Sequence, residues 1–322
     1  MRVLITGASG FLGSWFLDHF VRLEGRSDDI YFMDIKPHPA GLPIDQEDME
    51  SWLSSFDEDV DVAFHFAAPV GGRMKIEFDP LYNADALRLD SVFFRWAAKH
   101  AKLAVYPSSS AVYPVSLQGR TGDFLLQEGM FSSLGPNWSK PDELYGLTKL
   151  VGEVLAEKAA KQSGLSTLVI RPFSGYGPGQ SLDYPVPSIL RRALLREDPL
   201  VVWGSGEQKR DFVYVTDIVG ATMARIEDDP HLVEGGVNVM NISSGWGTTF
   251  NQIAEIAARI VGYNPTIEND ASRPEGVMNR RGDNQRMNRW WTPEVTLEQG
   301  LRYTLDSLKE GLVVKGPEVV RA

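Results

Sequence analysis

Short apolar runs alternate with longer segments of helical periodicity through the first half of the 322-residue chain. The runs carry Val, Ile, Leu and Phe at consecutive positions, which is typical of parallel strands that helices cover on both faces. The pattern predicts an α/β fold, a doubly wound parallel sheet of the Rossmann type with a smaller mixed α/β substrate-binding lobe. Strands are predicted at 3–6, 29–33, 60–66, 103–107 and 167–170, and helices near 12–23, 46–55, 81–100 and 141–163.

The second half of the chain breaks this alternation. A Gly/Pro-rich stretch at 174–179 indicates a loop that leaves the sheet. Runs at 212–215 and 237–242 again predict strands, so we expect the chain to return to the sheet there. Domain membership is then interleaved: a cofactor-binding domain of residues 1–172 and about 211–242, and a substrate-binding lobe of about 173–210 and 243–322.

One long connection, residues 113–140, lies between a predicted strand and a predicted helix. Loops of this length inside compact domains are uncommon and often functional, so it is expected either to cover a ligand or to pack as a surface excursion. Its apolar residues include Phe124, Leu125, Leu126, Met130, Phe131 and Trp138.

Composition excludes several classes of function. The formal net charge of −11 repels a polyanion, so nucleic acid is not an expected partner. The chain has no cysteine, which excludes disulfides, thiolate metal sites and a cysteine acid or base, and its five histidines do not cluster, so no metal site is expected. No signal-peptide pattern or run of 18 apolar residues is present, and we expect a cytoplasmic protein without a membrane partner.

A glycine-rich turn at 6–13 links the first predicted strand to the first helix. Gly7, Gly10 and Gly13 allow backbone N–H groups to approach a pyrophosphate at the helix N-terminus, beside Phe11 and Leu12. At the end of the second strand, Asp34 is placed to bond the hydroxyls of an adenine ribose, which favours NAD over NADP. Ile44 and Asp45 are candidates to flank the adenine.

Two side chains four residues apart, Tyr145 and Lys149, lie on one face of the predicted helix 141–163. Free tyrosine has a pKa of about 10, and a neighbouring ammonium favours its phenolate, so the pair can act as a base. Upstream, Ser109 and Ser110 follow the fourth strand, at the sheet edge where ligands of such sheets bind. Ser109 is the preferred candidate to bond the reacting oxygen, with Ser110 as the alternative. The expected catalytic set is Ser109, Tyr145 and Lys149.

The G-x-x-G-x-x-G spacing and these residues resemble the extended short-chain dehydrogenases/reductases, the NAD-dependent nucleotide-sugar epimerases and dehydratases. The resemblance covers nearly the whole chain, including 171–179, 203–217 and 291–301. It implies bound NAD, a nucleoside diphosphate sugar in the lobe and a homodimer through the helices near 81–100 and 141–163. It further implies cofactor contacts from Phe66, Ala67, Ala68, Tyr145, Lys149 and Pro172, and substrate contacts from Gly72, Arg73, Ser109, Ser110, Ser174, Val186, Trp203, Arg210 and Arg280.

Within that family the motifs are most similar to GDP-mannose 3,5-epimerases and GDP-fucose synthases, which slightly favours a GDP-sugar. Those enzymes carry cysteine where this chain has Ala111, and the 4,6-dehydratases carry an Asp-Glu pair where it has Ser110 and Ala111. We therefore expect an epimerase that inverts C4 through a transient 4-keto sugar. Three alternatives stay open: a 4-keto-sugar reductase or dehydrogenase, a 3,5-type epimerase with a substitute acid/base, and a non-catalytic NAD or sugar-nucleotide sensor.

Overall fold

A parallel sheet forms the centre of the protein in a computed structural model, which describes residues 1–24, 30–39, 41–42, 44–119, 125–130, 140–229, 232 and 234–313. The strands in chain order are β1 Val3–Thr6, β2 Ile30–Asp34, β3 Asp45–Gln46, β4 Val60–His65, β5 Ala101–Pro107, β6 Ser166–Pro172, β7 Gly175–Tyr176, β8 Leu200–Trp203, β9 Lys209–Arg210, β10 Val213–Tyr214, β11 Gly236–Ile242, β12 Thr248–Thr249, β13 Ile267–Asp270 and β14 Asn279–Arg280. The helices are α1 Phe11–Glu24, α2 Met49–Ser55, α3 Arg73–Phe78, α4 Pro80–His100, α5 Glu143–Ser163, α6 Pro185–Leu194, α7 Val215–Asp228, α8 Phe250–Val261 and α9 Leu297–Val313.

The sheet has the order β11-β6-β5-β4-β1-β2-β3 within the described residues, and every neighbouring pair is parallel. The predicted Rossmann-type α/β fold is thus confirmed. The strand order reverses beside β1, which places the glycine-rich turn at the switch point where ligands of such sheets bind.

One predicted strand lies elsewhere. The run 212–215 forms the short strand β10, but β10 pairs with β7 in a separate two-stranded ribbon rather than with the central sheet. The expectation that the chain returns to the sheet at 212–215 was wrong. Helix α7 begins at Val215, so only two residues of the run stay extended. The chain rejoins the sheet at β11 instead, which pairs with β6 along seven residues.

The core lies in two layers, one on each face of the sheet. Phe16 and Phe20 of α1 pack with Ile218 of α7 in one cluster. On the other face, aromatic and small side chains of α2, α4 and α5 pack together; this set includes Trp52, Phe93, Ala97 and Ala156. Among the helices in the described parts of the chain, none is long and apolar enough to cross a membrane.

A third apolar cluster joins α6, α8 and α9 beside the carboxyl edge of the sheet. Helix α8 is fixed at both ends: Thr249 and Gln252 form a capping box, and Gly262 ends the helix in the left-handed conformation. The short pairs β8–β13 and β9–β14 are attached to these helices. The lobe meets the carboxyl edge of the sheet, because Arg280 of β14 reaches Asp142 at the start of α5.

Candidate active site

The glycine-rich turn is shaped by close backbone packing. Gly7 has a φ of 71°, and a Cβ at this position would collide with the backbone of Phe66 and Ala67. A Cβ on Gly13 would collide with the carbonyl oxygen of Gly7. The Gly10 N–H donates to the Gly7 carbonyl at 3.0 Å, and α1 begins at the next residue. The turn therefore leaves the first N–H groups of α1 facing a cradle that fits a pyrophosphate.

The neighbouring strand ends supply the rest of the predicted cofactor set. Asp34 closes β2, and its two carboxylate oxygens accept the N–H groups of Ser9 and Lys36, each at 3.0 Å. Asp45 pairs with Met33 in the sheet and accepts the indole N–H of Trp52 at 2.9 Å. The remaining predicted cofactor residues lie along the same edge: Phe66, Ala67 and Ala68 directly after β4, Ile44 before β3 and Pro172 at the end of β6.

These residues fit NAD. The cradle at α1 suits its pyrophosphate, and the Asp34 carboxylate, fixed by two backbone donors, stands where an adenine ribose would meet it. Among the described residues there is no group of three or more His, Cys, Asp or Glu side chains that could hold a metal ion.

A serine-rich turn follows β5. The Ser109 Oγ accepts the Ala111 N–H at 3.1 Å and caps a 3₁₀ turn over Ser110–Val112. Ser110 is buried, whereas Ser109 is only partly so. This difference in exposure supports the prediction that Ser109 is the serine that contacts substrate. Ser108 points the other way and donates to Glu153 at 2.5 Å.

Helix α5 carries the predicted catalytic pair against this turn. The Asp142 N–H donates to the Ala111 carbonyl at 2.9 Å, and a Cβ on Gly146 would collide with that same carbonyl. Glycine at 146 therefore lets the helix approach the serine turn closely. The Lys149 side chain is buried and its Nζ lies 5.1 Å from the centre of the Tyr106 ring. Tyr145 lies one helical turn before it.

Three arginines from separate elements meet beside the start of α5. Arg73 reaches both oxygens of Asp142 at 3.0 and 3.1 Å, and Arg280 reaches the same carboxylate at 2.7 Å. Arg210 donates to the backbone carbonyls of Lys209 and Glu275. Arg73 is also paired with Glu77 at 2.6 Å. The three guanidinium groups therefore outnumber the two carboxylates bonded to them, Asp142 and Glu77, and the excess of positive charge suits an anion.

The charges of this cluster act on one another. Burial opposes ionisation of Asp142, but Arg280 and Arg73 outweigh burial and hold the pKa of this carboxyl below its usual value. Burial, and then the positive charge of Arg280, lower the pKa of Arg210 to about 9. An anion bound beside Arg210 would offset the repulsion from Arg280 and stabilise the charged form of the Arg210 guanidinium. The predictions for Arg210 and Arg280 as phosphate contacts thus gain a physical basis.

Trp203 closes β8 in the lobe. The residue is 36% exposed, and the Arg273 guanidinium lies 5.3 Å from the centre of its ring. Glu275, two residues after Arg273, accepts the Ser205 N–H at 2.9 Å. The indole face is therefore available for an aromatic ring, as predicted for a nucleobase.

For three other predicted substrate residues, the structure gives a position but no contact that points to a ligand. Gly72 packs so closely on Asp183 that a Cβ would collide with its carbonyl oxygen. Val186 is buried in the core of the lobe, in α6. Ser174 lies just before β7. Their contacts with substrate stay predictions.

Sequence reasoning missed two polar side chains of the arginine cluster. Asp142 was part of the predicted helix start, but its carboxylate holds Arg73 and Arg280 instead of capping the helix. Gln118 accepts the Nε–H of Arg280 at 2.6 Å. An acid directly before a helix normally reads as a cap, so the only signal was its closeness to Tyr145.

The connection 113–140 is described in part. Leu126 is buried and exchanges backbone hydrogen bonds with Arg281 and Asp283, each at 2.9 Å. This part of the loop therefore packs on the chain that follows β14. Met130 is 40% exposed. Phe124, Phe131 and Trp138 lie outside the described residues.

The profile of the NAD dependent epimerase/dehydratase family matches residues 3–242. The chain belongs to this family. The resemblance to NAD-dependent nucleotide-sugar enzymes is thereby confirmed, and the protein is an enzyme that uses NAD.

Named relatives span most of the chain. A protein of Bacillus subtilis (strain 168), described as an uncharacterized UDP-glucose epimerase, is 30% identical over 74% of this chain and 76% of its own. GDP-L-fucose synthase of Escherichia coli (strain K12) is 27% identical over 94% of this chain and 95% of its own.

Solved structures agree over nearly the full length. MoeE5 in complex with UDP-glucose and NAD is 28% identical, with a TM-score of 0.79, and the match covers 97% of this chain and 100% of that one. UDP-glucose 4-epimerase of Thermotoga maritima with UDP-glucose is 25% identical, with a TM-score of 0.81 over 97% of this chain and 100% of that one.

Proposed function

We propose that this enzyme inverts C4 of a nucleotide diphosphate sugar through a transient 4-keto sugar. The observation that carries the proposal is the composition of the turn beside the catalytic helix. Residues 108–112 offer three hydroxyls and the buried Ala111, but no thiol and no carboxylate. Proton removal at C3 or C5 needs a further acid or base, whereas C4 epimerisation needs only groups that act on the C4 hydroxyl.

The chain's own residues divide this work. Tyr145, as phenolate, takes the proton of the C4 hydroxyl, and the Lys149 ammonium stabilises the negative charge of the phenolate. The Ser109 hydroxyl donates a hydrogen bond to the C4 oxygen. Bound NAD would supply a reversible acceptor for the hydride of C4, so the cycle would have no net redox change. Tyr145 then gives its proton back to the oxygen after the sugar has turned over.

The arginine cluster, defined as Arg73, Arg210 and Arg280, is proposed to hold the diphosphate. Guanidinium groups match phosphate oxygens in bidentate geometry, and the excess positive charge of the cluster is local in a chain with a net charge of −11. Trp203 then faces the base. A fixed diphosphate lets the hexose rotate about its link to the phosphate, as inversion of C4 requires.

The preferred nucleotide and the assembly complete the proposal. We retain the slight preference for GDP from the sequence motifs; the named relatives carry both UDP-sugar and GDP-sugar descriptions. A thermal-shift series with GDP-, UDP-, ADP-, CDP- and dTDP-sugars tests the base. The homodimer through α4 and α5 is tested by sedimentation equilibrium, where a monomer would contradict it.

A second candidate, the 4-keto-sugar reductase or dehydrogenase, has a specific observation behind it. GDP-L-fucose synthase matches 94% of this chain, and the same Ser109, Tyr145 and Lys149 chemistry would serve a net redox reaction. The two candidates differ in whether cofactor is consumed.

One experiment separates them. Purified protein is incubated with candidate nucleotide sugars, the products are followed by proton NMR, and reduced nicotinamide is followed by absorbance. The proposal predicts a C4 epimer in equilibrium with the substrate and no steady accumulation of NADH. Stoichiometric NADH formation, or product only when NADH or NADPH is added, supports the redox candidate and contradicts the epimerase.

A further inference from the structure

A buried row of polar side chains runs beneath the proposed reaction site, from β1 to α4 and β5. The Thr6 Oγ1 lies 3.0 Å from His65 Nδ1, and His65 Nε2 lies 3.1 Å from Asp90 Oδ1. The Tyr106 hydroxyl donates to the other Asp90 oxygen at 2.8 Å. Asp90 thus receives a partner on each of its oxygens, in the middle of α4.

The row ends under the catalytic lysine. Lys149 Nζ lies 5.1 Å from the centre of the Tyr106 ring, the same ring whose hydroxyl binds Asp90. Asp90 and Tyr106 are both fully buried, and Lys149 is 5% exposed. On α5, a Cβ at Gly152 would collide with the Tyr106 hydroxyl and lie 2.8 Å from Asp90 Oδ2, so the helix packs directly on this pair.

One tautomer of His65 lets its ring donate to Asp90. It carries the proton on Nε2, 3.1 Å from Asp90 Oδ1, and Nδ1 then accepts from the Thr6 hydroxyl at 3.0 Å. Burial lowers the pKa of His65, against the opposing pull of Asp90, so the ring is neutral. In this tautomer both oxygens of Asp90 accept a hydrogen bond, one from His65 Nε2 and one from the Tyr106 hydroxyl.

A buried carboxylate requires a nearby positive charge. Within the part of the chain that the structure describes, the ionisable side chains that face Tyr145 and Lys149 include His65 from β4, Asp90 from α4, Tyr106 from β5, Glu153 on α5 and Tyr184 before α6. The second carboxylate, Glu153, is already neutralised, because Arg171 binds both of its oxygens. Within the described residues no lysine or arginine forms an ion pair with Asp90. Lys149, across the Tyr106 ring, is the cation left to balance it.

We propose that Asp90 is the buried counter-charge of Lys149, a positioning residue that keeps this ammonium protonated and fixed over the Tyr106 ring while Tyr145 exchanges its proton. The inference rests on the proposed function, because it assigns Asp90 a role through the same lysine. His65 and Tyr106 hold the carboxylate in place, and Thr6 orients His65.

The first test compares Asp90→Asn with Tyr106→Phe. Removing a buried negative charge makes the protons of nearby Tyr145 and Lys149 easier to lose. In Asp90→Asn, the acidic and basic limbs of the pH profile of kcat/KM therefore both move to lower pH, by about one unit. Tyr106→Phe keeps the charge and the ring, so its limbs stay in place. If Asp90→Asn lowers the rate while both limbs stay where they are in the wild type, Asp90 is merely structural and the proposal is overturned.

The second test needs neither turnover nor a variant that folds. In wild-type protein with 15N-labelled histidine, the proposal expects a neutral His65 with its proton on Nε2 at neutral pH. A proton on Nδ1 would mean that Nε2 accepts from a neutral, protonated Asp90, and this overturns the proposal. Because this measurement uses no substrate, absence of sugar turnover refutes the proposed function alone and leaves the role of Asp90 to the spectrum.

Discussion

The Arg171 guanidinium binds both carboxylate oxygens of Glu153, at 2.9 and 2.6 Å, and both side chains are 2% exposed. Glu153 also accepts the Ser108 hydroxyl, one residue before Ser109. The ion pair therefore joins β6 to α5, and the hydrogen bond from Ser108 to Glu153 fixes the start of the serine turn on the same carboxylate. Glu153 lies one helical turn beyond Lys149, so the same helix face carries both the reaction site and its support.

Replacing Arg171 by Met is expected to destabilise the protein strongly. The substitution leaves the Glu153 carboxylate buried without its partner, a loss of about 3–5 kcal/mol. Urea unfolding measures the difference. The matched control is Arg88→Met, whose ion pairs with Asp48 and Glu50 are about half exposed and whose loss should cost no more than about 1 kcal/mol. Similar losses in both variants would contradict the buried role.

Replacing Tyr145 by Phe is expected to remove turnover while the fold and the bound cofactor stay unchanged. The phenyl ring keeps the shape of the side chain but cannot take the proton of the C4 hydroxyl. Loss of general acid–base catalysis lowers kcat by about 10²–10⁴-fold. Steady-state kinetics measures the loss of turnover, and the cofactor content of the denatured protein shows whether NAD is still bound. A variant that keeps near wild-type kcat would remove Tyr145 from the mechanism.

Arg210→Met should weaken substrate binding with little change in kcat. Among the described residues, the hydrogen bonds of Arg210 go to the backbone carbonyls of Lys209 and Glu275, so its removal breaks no side-chain hydrogen bond to a carboxylate. A hydrogen bond to a charged group contributes about 1.5–3 kcal/mol, which corresponds to a rise in KM of about 10–100-fold. Arg302→Met, at an exposed position of α9, is the control. An unchanged KM would place the diphosphate elsewhere.

Gly13→Ala should abolish NAD binding, because the new Cβ collides with the Gly7 carbonyl and closes the cradle. In the wild type, NAD at a hundred times its Kd adds about 2.7 kcal/mol of stability, and the variant should lose this gain. Gly119→Ala is the control, since its Cβ would meet no atom within 4 Å. A thermal-shift titration decides: a normal NAD response in Gly13→Ala would refute the assignment.

The ion pairs of Asp142 predict a specific dependence on acid. Its pKa is held below the usual value in the folded protein, so its contribution to stability is full above the unfolded value of about 3.9 and is lost as pH falls through the folded value. The stability advantage of wild type over Asp142→Asn should therefore shrink on acidification below about pH 4. Denaturant midpoints from pH 7 to pH 3 measure it, and a constant advantage would refute the ion-pair account.

Local sequence predicted the central strands well. Strand β1 lies where its apolar run predicts it, because strands buried on both faces must be apolar throughout. The run at 212–215 has the same local character, yet its partner is β7, and no local pattern states which strand a segment will pair with. The two runs differ in their position in the fold: β10 is cut short because α7 begins at Val215.

The candidate site was predictable where its residues are close in sequence. Tyr145 and Lys149 share a helix face, and the glycine-rich turn is a contiguous motif, so spacing alone indicated both. Asp142 and Asp90 were not predictable in the same way. Asp142 meets Arg280 across 138 residues, and Asp90 looks like a surface acid of a helix until α5 packs over it. Their roles follow from long-range contacts that no local spacing encodes.

The central claim, inversion at C4 through hydride removal and return, is tested most directly with a nucleotide sugar that carries deuterium at C4. The account predicts that the deuterium is found at C4 of both epimers, with no exchange into solvent and no transfer to NAD added to the medium. Deuterium lost to water, incorporation of solvent deuterium at C3 or C5, or label accumulating in free NADH would contradict it.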